Sequence, residues 1–195
     1  MLYIDKLKAE AASAGFAKTS KEAIKWFSNK LKGITKPINR KQLLDHDEFT
    51  KRQNPFIGRM FMYFYDPKHK ETLPYYDRFP LIFMVGKAEG GFYGLNMHYL
   101  PPKLRALFFD KLLDYTTNKK YNSTTRLKLT YELLNRSRNL KYFAPCFKHY
   151  LTEHIQSRII EVPPSDWATV MFLPSEQFVK ANKITVWSDS KRKTY

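Results

Sequence analysis

Residues 58–101 read GRMFMYFYDPKHKETLPYYDRFPLIFMVGKAEGGFYGLNMHYLP, and the reading of this stretch decides the fold. Arg59 to Tyr65 is rich in aromatics, Phe79 to Val85 is a second apolar run, and Phe92 to Tyr99 is a third. Short aromatic runs bounded by turn formers read as strands. Asp66-Pro67 supplies a turn, and Glu89-Gly90-Gly91 closes a hairpin onto the third run. About three to five such strands make a small curved antiparallel β-sheet or an SH3-like barrel, with Gly86 and Gly94 at the bends.

The block is electrically neutral inside a basic chain. From Met60 to Pro101 the cations Lys68, Lys70, Arg78 and Lys87 are balanced by Asp66, Glu71, Asp77 and Glu89, whereas the whole chain carries +16. The surplus lies in the flanks, with thirteen cations against six anions up to Arg59 and twelve against four over Pro102 to Ile160. Such an imbalance implies an acidic partner, whether nucleic acid, an anionic membrane surface or an acidic protein. The length of 195 residues and the 43% hydrophobic content suit one domain with a real core. A single cysteine, Cys146, excludes an intrachain disulfide framework and a thiolate zinc cage. No apolar run approaches the ~20 residues of a membrane span, and MLYIDKLKAEAAS has no signal-peptide core, so neither membrane nor secretion is expected.

Outward from the block the pattern turns helical. Thr19-Ser20-Lys21-Glu22 has the spacing of a capping box ahead of Ile24, Phe27 and Leu31, which predicts a helix over 20–32 with Gly33 as its C-cap. Leu2, Leu7 and Ala11 suggest an earlier amphipathic segment, and residues 34–57 read as a loop or arm with a short helix near Gln42 to Asp47. Residues 1–57 thus form an N-terminal helical arm, and 58–195 the sheet core with C-terminal helices. After Pro101-Pro102, the spacing of Leu104, Leu107, Phe108, Leu112 and Tyr115 predicts one helix, and Leu127, Tyr131 and Leu134 a second near 125–135. A third is expected from Pro145 past Ile155, a fourth from Ser165-Asp166 through Phe172, and a fifth around Glu176 to Ala181, before a basic tail SDSKRKTY.

Catalytic constellations are thin. Glu89-Gly90-Gly91 lacks the lysine and spacing of a phosphate loop, and no cofactor motif is present. Cys146 and His149 would share a helix face, yet a thiol among Phe143, Phe147 and Tyr150 is better explained as packing. His149, Glu153 and His154 offer at most two ligands on one face. Asp66, Asp77 and His98 could assemble a metal-dependent nuclease centre if the sheet brought them together, although both aspartates also suit turns. The basic flanks are the stronger signal. Lys119, Lys120, Arg126, Lys128, Arg136, Arg138 and Lys141 lie close in sequence beside Tyr121 and Tyr142, and Lys191, Arg192 and Lys193 end the chain. Interleaved cations and aromatics suit phosphate pairing and base stacking, the simpler alternative being a solvated surface.

Several segments together resemble a known group of proteins. They are Gly58-Arg59-Met60, Tyr65-Asp66-Pro67-Lys68, Thr72 to Pro80, Gly91 to Asn96, His98 to Pro102, Tyr142 to Lys148 and Leu173-Pro174-Ser175-Glu176. Across roughly the last two-thirds of the chain the sequence is similar to virion or assembly proteins of T-even-type tailed bacteriophages, some of which are labelled DNA end protectors. The resemblance implies a non-enzymatic phage protein made in the host cytoplasm and acting in the virion, in head, neck or tail. Its implied partners are double-stranded DNA, bound through the backbone, and other phage virion subunits, with no cofactor, metal or small-molecule ligand. A baseplate or neck component making only protein contacts is the alternative, and a nuclease the second alternative.

Overall fold

The computed structural model describes residues 3–16, 20–31, 38–116, 120–137 and 139–192. Two helices open the chain, α1 (Tyr3–Ser13) and α2 (Lys21–Leu31). Each buries one stripe at helical spacing, Ile4, Leu7 and Ala11 in the first and Ala23, Ile24, Phe27 and Leu31 in the second. The cap of α2 is Ser20, whose Oγ accepts from the Ala23 amide at 3.0 Å. Thr19, Gly33 and Leu2 lie outside the described residues. A short α3 (Arg40–Leu44) follows, with Asn39 as its N-cap.

The sheet is six-stranded, antiparallel and open. Its strands are β1 (Thr50–Arg52), β2 (Met60–Met62), β4 (Leu81–Ala88), β5 (Gly91–Asn96), β6 (Phe147–Leu151) and β7 (Ile159–Val162), in the order β1-β7-β2-β4-β5-β6. The two outer strands, β1 and β6, do not pair with each other, so the SH3-like closure is not formed. A separate ribbon joins β3 (Tyr76–Asp77) to β8 (Phe178–Val179). Gly90, at φ 67°, makes the tight turn between β4 and β5, and the register shifts between Met84 and Gly86, where the sequence places a bend.

Both faces of the sheet's middle strands are buried, while β1 at the edge is exposed, which explains why β2 and β4 read as unbroken apolar runs instead of alternating ones. Met60, Met62, Leu81, Phe83, Val85, Leu95, Ile160 and Val162 face the large core shared with the helices. Phe61, Tyr63, Tyr65, Ile82, Met84, Phe92, Tyr150 and Ile159 form a smaller core on the other side. The large core is covered by α1, α2, α4 (Pro102–Thr116), α5 (Ser123–Ser137) and α6 (Trp167–Phe172).

Three expected features differ from those observed. Residues 145–155 form no α-helix: a 3-10 turn (Lys141–Cys146) leads into β6. Over so short a stretch the apolar spacing fits either period. The deciding factor is the free edge of β5, where glycine lets the chains approach; a Cβ on Gly91 would lie 1.9 Å from the Tyr150 carbonyl oxygen. Around Glu176 to Ala181 the chain forms β8 in place of a helix, and Lys180 adopts a left-handed φ of 68° that no helix accommodates. The basic tail is helical through Arg192, as part of α7 (Lys183–Arg192), begun by Asn182 accepting from the Thr185 amide at 3.0 Å. No helix of the described residues is long and apolar enough to cross a membrane.

Candidate nucleic-acid interface

The residues that could have made a catalytic centre form a buried structural knot. Asp77 Oδ1 accepts from the amides of Phe79 and Gln177, each at 3.0 Å. Its Oδ2 accepts from Asn96 Nδ2 at 3.1 Å and lies 2.7 Å from His98 Nδ1. The other His98 nitrogen, Nε2, is 3.1 Å from Ser175 Oγ. Asp77, His98 and Ser175 are 4%, 0% and 1% exposed, so this Asp-His-Ser line has no room for substrate. Burial pushes the Asp77 carboxyl up, but the His98 charge, the hydrogen bond to His98 and the two amides bring it below its ordinary value. Arg105 closes the knot from α4, donating to the carbonyls of Leu100, Met171 and His98. From α7, Trp187 Nε1 donates to the same His98 carbonyl at 2.8 Å.

Asp66 is not part of it, since both of its oxygens accept from Lys70. Among the described residues, no group of three or more His, Cys, Asp and Glu side chains could hold a metal ion. Cys146 ends the 3-10 turn in the core, with burial pushing its thiol up to about 12, while His149 lies on β6 against the Glu89 carbonyl. The helical pairing of these two residues does not exist.

The basic flanks differ in how far the protein neutralises them. In the N-terminal part, Lys8 pairs with Glu48 and Asp166, Lys21 with Asp110 and Asp114, Lys30 with Glu10, and Arg52 with Glu161. On α5, no described carboxylate pairs with Arg126, Lys128 or Arg136. Thr130, Leu134 and Ser137 mark the buried face of α5. Helical geometry therefore sets exposed Lys128 and Arg136 outward and half-buried Arg126 on the flank. Lys120 is exposed just before the helix. Lys119, Arg138 and Lys193, and the side chain of Lys141, lie outside the described residues.

Packing of α7 against the 141–146 turn brings the C-terminal basic residues to the segment that follows α5. Lys191 and Arg192 end that helix exposed, Arg192 held 3.0 Å from Asp189.

The fold also gathers a cleft of mixed charge that the sequence does not announce. This cleft of about 530 Å³ is lined by Phe64, Tyr65, Tyr76, Arg78 and Gln156, with Lys41 of α3, the Asp66–Lys70 pair and Glu71 beside them. Its residues come from segments far apart in the chain, and only the folded sheet gathers them.

The protein is thus a basic α+β fold whose Asp77, His98 and Ser175 are buried, with cations lacking a described carboxylate partner on α5. Residues 2–191 match the family model of the phage T4 terminal DNA protecting protein, and the chain belongs to that family. The match extends the phage resemblance over the N-terminal helices as well. No curated protein and no solved structure matches the chain.

Proposed function

We propose that this protein is a non-enzymatic phage protein that covers DNA ends, gripping the duplex backbone without reading sequence. The observation that carries the reading is the family match along residues 2–191 to a terminal DNA protecting protein. The means are the cations of α5, Arg126, Lys128 and Arg136, supported by Lys120, Lys191 and Arg192, which suit phosphate neutralisation. Protection is steric, and no bond needs to be made or broken. The virion is its place of action, and other virion subunits are its protein partners.

The test compares open-ended duplex with a covalently closed dumbbell of the same sequence across a salt series. Open duplex should bind more tightly, and log affinity should fall linearly with log salt. Replacing Arg126, Lys128 and Arg136 by Gln should reduce that slope by about 3, roughly one for each lost phosphate contact. Equal affinity for open and closed DNA, or affinity indifferent to salt, would remove the reading. Exposed Leu107 (57%), Leu140 (54%) and Ile184 (70%) favour a second reading, a neck or baseplate component that meets only protein.

A further inference from the structure

We propose that the cleft beside α3 receives the 3′-terminal nucleotide of a DNA strand, with its free hydroxyl. This rests on the DNA-end reading above and gives it a means of telling an end from an internal site, which α5 cations alone cannot do because every phosphate looks alike to them. The volume of about 530 Å³ falls in the roughly 300–1,000 Å³ range of small-ligand sites, enough for one nucleotide.

The lining is matched to the parts of a nucleotide. Arg78 and Lys41 are exposed cations with no carboxylate partner among the described residues, placed to take the phosphate that precedes the terminal sugar. Tyr76 and Phe64 are half-buried rings on which a base can stack. Exposed Glu71 is the discriminating group, the Asp66 charge beside it being balanced by Lys70. A carboxylate accepts from a free 3′-hydroxyl but repels the phosphodiester that takes the hydroxyl's place within a strand. Cations without carboxylates would bind any stretch of backbone, whereas this mixture favours a terminus.

The cleft is also preorganised. Lys180 inserts its ammonium beneath the 66–73 turn, donating to the carbonyls of Lys70 at 2.7 Å, Glu71 at 2.8 Å and Leu73 at 3.3 Å. It does so from the left-handed conformation, the only non-glycine residue among those described with a positive φ. His154 Nδ1, 2.9 Å from the Asp66 carbonyl, and the Gln156 amide, donating to the Phe64 carbonyl at 2.8 Å, fix the other side. A wall so held loses little entropy when a ligand arrives.

The experiment measures binding of the full chain to duplexes with short 3′ overhangs ending in hydroxyl or in phosphate, beside the closed dumbbell. The hydroxyl end should bind about tenfold more tightly than the phosphate end. Lys41→Gln with Arg78→Gln should erase the preference for open ends while leaving dumbbell affinity unchanged. Glu71→Gln should strengthen binding of the phosphate end, a gain that misfolding cannot mimic. If open ends are preferred but the double variant keeps that preference, or if hydroxyl and phosphate ends bind alike, the cleft assignment is overturned while the DNA-end reading stands. If open and closed DNA bind equally, both fall.

Discussion

The two faces of the central sheet are both buried, but by different means. Toward the helices the side chains are mostly aliphatic or sulfur-containing, Met60, Met62, Leu81, Val85 and Leu95, and whole helices cover them. The opposite face is covered mainly by its own rings. Tyr63 meets Phe92 at 6.1 Å and Tyr150 at 5.7 Å, nearly perpendicular in both cases, and Tyr65 meets Tyr150 at 5.0 Å. The segment after β6 completes the cover through the bridge between Tyr65 and Ile155. A sheet without helices on its second side can therefore still bury that side, if its residues are large, flat and able to pack edge to face.

The most damaging way to break this arrangement is to cut what joins the two faces. Asn96 links the Asp77 knot to Tyr150 of the aromatic face through a 3.1 Å hydrogen bond. Asp77→Ala strands His98, Asn96 and the Phe79 and Gln177 amides and should cost about 5 kcal/mol, read from urea unfolding. Acidification tests the same group. Because the folded carboxyl lies below its ordinary 3.8, its stabilising contribution is complete above that pH and fades as pH falls through the lower folded value. The wild-type urea midpoint should therefore drop more steeply below pH 3.8 than that of Asp77→Asn; parallel profiles would deny Asp77 this role.

Next in size is a matched pair of truncations. Phe92→Ala on the ring-covered face and Phe83→Ala on the helix-covered face should each cost ~3–5 kcal/mol. A loss below about 1 kcal/mol at Phe92 alone would make that face a surface patch, not a core. The smallest effect is expected at Tyr63, whose hydroxyl is buried with no hydrogen-bond partner. Tyr63→Phe removes that polar burden and should leave stability unchanged or raise it by up to about 1 kcal/mol. A clear loss in thermal melting would mean that an ordered water serves the hydroxyl.

The aromatic face was legible as strands because MFMYFY and LIFMV admit no helical stripe, and the Glu89-Gly90 turn followed from glycine's freedom at positive φ. Helices α2, α4 and α5 were legible from their apolar spacing. Strand β6 was not, since Phe147, Tyr150 and Leu151 suit a helix equally and only the glycine-lined edge of β5 selects extension. Helix α7 was hidden behind its charge. Of the candidate site, the α5 cations could be read along the chain, but the cleft could not: Lys41, Arg78 and Gln156 become neighbours only through tertiary folding.

Strand β7 sits between β1 and β2, with Met60 facing Val162 and Thr50 facing Glu161. During synthesis the early strands must therefore wait, with an open slot between them, for a partner made about a hundred residues later. The sheet cannot be built in the order in which the ribosome delivers it, and the α1 and α2 helices have no finished core to dock on until then. Until β7 is made the chain exposes unpaired aromatic strands that attract aggregation. The moment of greatest risk for this protein is therefore its own synthesis.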